Sequence, residues 1–233
     1  MVQESGVRAW RHPWAAVAVA SVGALLVAVV ILWVPSMHAA LVRWPPVLVA
    51  LVDLLLLSAP LIGAVVVAVR VSGDRFAAAV GLRGFSWTDV VAGLGVGLVA
   101  RGLVELVAPT LGGVGWDESG AMAAAIVALA GAVLVTPLIE ECFFRGLLQR
   151  ALGDALGGAG AAVAGTVAVL VSTAVFTGLH ALAAGEFVPV GLLLGTAVVG
   201  LGCGVLTLLT GRLAGALIAH VVFNAIGAAL LVW

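Results

Sequence analysis

The sequence contains no lysine and no tyrosine, and charged residues occupy only 9% of its 233 positions. All ten basic residues are arginines, spread singly along the chain, and the formal net charge is −1. With no basic patch, nucleic acid is excluded as an expected partner. Cysteine is almost absent: Cys142 and Cys203 each sit inside an apolar run. That placement excludes a disulfide framework and a paired-thiol redox motif, and both read as small buried apolar residues. Aromatics are few and period-two alternation is missing, which argues against an outer-membrane barrel. No internal repeat, low-complexity tail or soluble domain is evident.

What is abundant is apolar sequence, 64% of the chain, far beyond the soluble norm. Uncharged runs long enough to cross about 30 Å of hydrocarbon as helices recur along the sequence. Runs bounded by charge, proline and glycine predict spans at 14–34, 46–69, 89–109, 121–150, 160–183, 187–209 and 213–233. The expected fold is therefore all-α, a polytopic transmembrane helical bundle of about seven spans. Arg8 and Arg11 ahead of the first run imitate a secretory signal, and Met37-His38-Ala39 a cleavage site. The apolar run is about twice the length of a signal core, so it reads as a retained span.

The longest polar connection joins the second and third runs, and Thr88 or Asp89 is expected to cap the third helix. Arg8, Arg11, Arg70, Arg75, Arg83, Arg150 and Arg212 fall on one side of this topology. Arg43 falls on the other, with Asp117, Glu118 and Glu186. Basic residues near span ends stay in the cytoplasm, so the chain is expected in the cell membrane as a multi-pass protein, N-terminus cytoplasmic and C-terminus extracytoplasmic. Gly93, Gly95 and Gly97, like Gly200, Gly202 and Gly204, lack the strand-turn-helix setting of a nucleotide loop. They are expected to serve close helix packing.

The fourth run carries Pro137-Leu138-Ile139-Glu140-Glu141-Cys142-Phe143-Phe144-Arg145. Each charge near mid-bilayer costs about 2.5–3.5 kcal/mol on insertion scales, a burden that a purely structural role does not require. Arg145 lies four residues after Glu141, the favourable order for a helical ion pair, whereas Glu140 points about 100° away. Glu141 and Arg145 therefore read as mutually satisfied scaffold, and Glu140 as the group left to act. Pro137 is expected to loosen the preceding turn and open room for water. His180 ends the fifth run, and His220 and Asn224 share one face of the seventh. An unpartnered imidazole or amide is costly in lipid, which favours their convergence.

That set suits peptide hydrolysis by activated water. Glu140 is the expected base and His180 the group that holds the water. His220 and Asn224 are the expected oxyanion donors, where loss of one typically costs roughly 2.7–4 kcal/mol. Two histidines and a glutamate also form a familiar zinc ligand set, so a metal at Glu140, His180 and His220 stays open. No His-Glu-x-x-His helix is present and Asn is a poor zinc ligand, so the favoured reading requires no cofactor. A thiol mechanism through Cys142 is weaker, because two residues from Glu140 it projects to another helix face.

Glu140-Glu141-x-x-x-Arg145, Phe176-x-x-x-His180 and His220-x-x-x-Asn224, in that order on successive hydrophobic spans, resemble the CAAX-processing and bacteriocin-processing family of intramembrane proteases, also called CPBP or Abi. The resemblance covers about residues 80–230, with Gly81-Leu82 and Trp87-x-Asp89 at its start. It implies an all-helical, CAAX-protease-like catalytic membrane core, assigned to 76–233. Residues 1–75 are N-terminal spans that match only generically. It further implies that Glu140, His180, His220 and Asn224 line a cavity, under either a metalloprotease or a glutamate-activated-water account. The expected partners are the lipid bilayer and a membrane-anchored peptide or protein substrate. The rival readings are a proton-coupled transporter, for which intramembrane Glu and His are equally suited, and a non-catalytic immunity or scaffold protein.

Other polar residues read as structural. Arg101 and Glu105 are expected to form an intramembrane ion pair, Asp53 to line the cavity or mark a span edge, and His12 and His38 to be solvated near interfaces. A helix starting near Gly160 would carry His180 about 30 Å along its length, out of level with Glu140. The expected remedy is that 150–165 runs partly along the membrane and the crossing helix starts later.

Overall fold

The computed structural model describes residues 9–73, 75–112 and 121–232, and among them it is all helical. Arg8, Asp74, Asp117 and Glu118 lie outside the described residues. Seven helices are long and apolar enough to cross a membrane: α1 (Pro13–Ala40), α2 (Pro46–Ser72), α4 (Trp87–Val107), α5 (Met122–Ala155), α6 (Ala161–Ala184), α7 (Val190–Thr210) and α8 (Ala214–Val232). A short helix, α3 (Phe76–Val80), lies within the connection read from sequence as polar. The bundle carries large apolar side chains outward, among them Leu25, Leu55, Leu106 and Leu209, as a surface facing lipid does.

The observed helices follow the apolar runs closely, with two instructive departures. First, α1 continues through Pro35 to Ala40. Second, α5 runs 34 residues to Ala155, and the next helix starts at Ala161 after one 3-10 turn. The expected stretch along the membrane is thus absent. Glu140 and His180 become level because the fourth span is longer than its apolar run, extending past Arg150 through the polar segment to Asp154.

α5 is not a uniform α-helix. Gly131–Val135 and Glu141–Gln149 are wound as π-helix, on either side of an α-helical turn at Thr136–Glu140. In the first stretch the Thr136 N–H reaches the Gly131 carbonyl, an i→i+5 bond. The next donor in that register is Pro137, which has none, so the Ala132 carbonyl is left for another partner. The Asn224 side-chain amide donates to it at 2.8 Å. Farther along, Ser172 donates to the Phe144 carbonyl at 2.8 Å, and the fully buried Trp10 indole donates to the Gly146 carbonyl at 3.2 Å. The wide helix is thus held by side chains from α8, α6 and the N-terminal segment.

The cap of α4 is Ser86 rather than Thr88 or Asp89. Asp89 stands at the third helical position and its carboxylate accepts the Ser86 N–H at 2.8 Å, completing a capping box. Arg212, in the α7–α8 turn, clasps the same carboxylate through two nitrogens at 2.9 Å each. Between α4 and α8 the packing is close: a side chain on Gly97 would meet the Ala219 carbonyl at 2.7 Å and Val222 at 3.0 Å, and Gly93 is equally tight against Gly215 and Ile218. Gly97→Val is expected to destabilise the bundle by about 1–3 kcal/mol, read as a lower melting temperature in detergent.

Candidate active site

Glu140 and Glu141 diverge from the short α-helical turn after Pro137. Glu140 turns toward a cavity of about 270 Å³, which it shares with His180, Thr136, Phe144 and the apolar residues Val27, Ile31, Leu54, Leu57 and Leu61. The wall opposite Glu140 is therefore supplied by α1 and α2. Cys142 faces away, into a separate apolar cleft of about 220 Å³ beside α2 and α3.

Each oxygen of the Glu140 carboxylate meets a different histidine. Oε1 lies 3.8 Å from Nε2 of His180, and Oε2 lies 3.7 Å from Nε2 of His220. Both rings are held by their other nitrogen. His180 Nδ1 donates to the Phe176 carbonyl one turn earlier, at 2.9 Å. His220 Nδ1 donates to Glu141 Oε1 at 2.8 Å. Since a carbonyl and a carboxylate oxygen accept, Nδ1 carries the hydrogen in each ring, and in the neutral tautomer both Nε2 lone pairs face Glu140. The Phe176 ring stands between them, 4.4 Å from the His180 ring and 5.7 Å from that of His220.

Glu141 is fully buried and does more than neutralise Arg145. The guanidinium donates to it at 3.0 Å, and the same oxygen accepts from His220. Arg145 also donates to the Gly200 carbonyl at 3.0 Å and lies 4.9 Å from the Phe176 ring centre. The reading of a self-contained Glu141–Arg145 scaffold is therefore incomplete: Glu141 is the group that orients His220. No sequence signal marks this bond, because it depends on the rotation of α8 against α5.

Glu140, His180 and His220 are brought together. His220 is buried and absent from the cavity wall, with Nε2 turned to Glu140 rather than to open space. Asn224, one turn on, is committed through one amide hydrogen to Ala132 and keeps the other. Arg101 pairs with Glu105 and with Thr110, and lies over the Phe223 ring at 5.5 Å. Asp53 is paired with His38 at 2.9 Å rather than lining the cavity, and His38 itself is exposed, as expected of a solvated histidine.

A histidine pair with a glutamate is a donor set that zinc uses. Here, however, the two imidazoles address opposite oxygens of one carboxylate. Among the described residues, no three His, Cys, Asp or Glu side chains converge as a metal-holding group.

Residues 122–226 match a protein-family model described as type II CAAX prenyl endopeptidase Rce1-like. Comparison with curated proteins and with solved structures gives no match. The matched stretch supplies Glu140, Glu141, Arg145, His180, His220 and Asn224, and leaves the α1–α2 wall outside it. Residues 122–226 are thus similar to the Rce1-like domain of CAAX proteases, within a chain whose seven long apolar helices mark a multi-pass membrane protein.

Proposed function

We propose that this chain is an intramembrane endopeptidase that hydrolyses a membrane-associated peptide or protein with water activated by Glu140. The observation that carries this reading is the Glu140 carboxylate, open on one side to an apolar cavity and flanked on both oxygens by oriented imidazoles. In the proposed step a water held between Glu140 and His180 gives a proton to Glu140 as its oxygen adds to the scissile carbonyl carbon. The remaining amide hydrogen of Asn224 supports the oxyanion. His220, fixed by Glu141, steadies Glu140 and relays its proton. Collapse returns the proton to the leaving nitrogen and gives a carboxylic acid and an amine.

The role given to His220 differs from the oxyanion donation expected from sequence, because Glu141 takes its Nδ1 hydrogen and Nε2 faces a carboxylate. The chemistry needs only this chain's side chains, without a cofactor. Residues 76–233 act as the catalytic core, with residues 1–75 adding the far wall of the cavity. The end of the bundle bearing Arg150 and Arg212 is assigned to the cytoplasm, with the C-terminus outside, from the arginine distribution.

The test compares membranes from cells making wild-type or Glu140→Ala protein at equal abundance, by proteomics of new peptide termini. Termini present only with the wild type are the expected result, and they persist in membranes treated with a zinc chelator. Transport that depends on Glu140 with no cleaved product would favour the transporter. A phenotype preserved in the variant would favour the scaffold, and loss of the termini with chelator would make the reaction metal-dependent.

A further inference from the structure

Hydrolysis consumes one water per turnover, its oxygen going to the new carboxyl group and its hydrogens to the two products. The cavity that Glu140 faces is walled mainly by leucine, isoleucine and valine, which is poor ground for holding water. A different part of the bundle has the opposite character. Glu141, Arg145 and Gln149 project from successive turns of the π-wound part of α5 toward α7. Arg145 donates to the Gly200 carbonyl and Gln149, at 2.9 Å, to that of Gly204, so the two helices run in step for a full turn.

Along this seam five side-chain atoms are buried with no hydrogen-bond partner among the described residues: Glu141 Oε2, Arg145 Nε, Gln149 Oε1, Thr173 Oγ1 and Thr207 Oγ1. All five residues are at least nine-tenths buried. They are neighbours rather than scattered. The space a side chain on Gly200 would fill is bordered by the methyl group of Thr173 at 2.9 Å and the Arg145 guanidinium at 3.5 Å, and that of Gly204 by Gln149 Oε1 and a Val169 methyl, each at 3.0 Å. Thr207 follows Gly204 by one turn. The threonines are informative, since Thr196 and Thr210 each donate to the carbonyl four residues back, at 2.8 and 2.7 Å. Thr173 and Thr207 leave that local partner unused.

A buried polar atom without a partner is costly in an apolar surround, and water is the usual remedy where several converge. We infer that these atoms line a file of water between α5, α6 and α7, which supplies the hydrolytic site from the side opposite the substrate cavity. It runs from the helix ends where Arg150 donates to the Gly211 carbonyl, past Thr207 and Gln149, to Glu141 and the imidazole of His220 beside Glu140. Gly200 and Gly204 leave their carbonyls within reach of Arg145 and Gln149, where a side chain would crowd the neighbours at 2.9 and 3.0 Å. The inference rests on the proposed use of water at Glu140, and it adds the route by which that water arrives.

The test uses the full chain in lipid nanodiscs, with Thr173→Val and Thr207→Val singly and together, and Thr→Ser controls that retain the hydroxyl. Two quantities are read: the melting temperature, and the rate of cleaving a fluorogenic peptide bearing the sequence found at Glu140-dependent termini. Expected is a double Val variant that melts below wild type and cleaves several-fold more slowly at unchanged KM, with the Ser variants like wild type. A dry seam gives the reverse, because removing an unsatisfied hydroxyl raises the melting temperature. That result, or cleavage by the double Val variant at the wild-type rate, overturns the inference. Wild-type protein that yields no Glu140-dependent product overturns the proposed function instead, and the melting shift still decides whether the seam is wet.

Discussion

Replacing Glu140 with glutamine is expected to lower the rate of the proposed peptide hydrolysis by about 10²–10⁴-fold, the range typical for loss of a positioned general base, while the protein stays folded. The two halves of this expectation have separate causes. Glutamine keeps the volume of the side chain and its place in the cavity wall, but its amide cannot take a proton from water. Stability is preserved because the histidine contacts of Glu140, at 3.7 and 3.8 Å, are longer than hydrogen bonds. Removing an ionisable group from inside the membrane also lifts an energetic burden. The melting temperature of Glu140→Gln is therefore expected at or above that of the wild type. A variant that unfolds would show Glu140 to be structural, and one that cleaves at the wild-type rate would remove it from the mechanism.

Glu141→Leu is expected to fail in both respects. Arg145 is 1% exposed and has Glu141 as its counterion, so truncation leaves a buried cation unpaired. Breaking a buried pair from one side typically costs about 3–5 kcal/mol. The same change releases His220 Nδ1, so the imidazole beside Glu140 loses its fixed tautomer and orientation. The double variant Glu141→Leu/Arg145→Leu separates the two effects. It regains much of the melting temperature, as apolar replacement of buried pairs often does, yet still lacks cleavage because His220 remains unheld. Restored cleavage in the double variant would reduce Glu141 to a counterion.

The adjacent glutamates show how far one sequence carries the argument. Their divergence was legible, because 100° of helix rotation sends Glu140 and Glu141 to different neighbours and Arg145 falls on the face of Glu141. The seven spans were legible too, since uninterrupted apolar length is a direct requirement of the bilayer. The bond between Glu141 and His220 was not, because it joins residues 79 positions apart through a helix rotation that composition does not encode. The end of α5 was missed for a related reason: the turns from Arg150 to Asp154 stay helical through tertiary contacts, including the Trp10 N–H donated to Asp154 at 2.8 Å. Pro137 was read correctly as loosening its helix, but the released carbonyl is taken by Asn224, where water was expected.

The wall that α1 and α2 present to Glu140 separates inheritance of chemistry from inheritance of taste. Substitutions at Val27, Ile31, Leu54 or Leu57 reshape the cavity that Glu140 faces without changing Glu140, His180 or His220. Those wall positions lie outside the stretch that matches the family. If the proposed peptidase activity holds, selection can retune which peptides are admitted by altering the N-terminal hairpin alone, leaving Glu140, His180 and His220 unchanged. Grafting that hairpin between related chains would transfer preference while keeping the reaction.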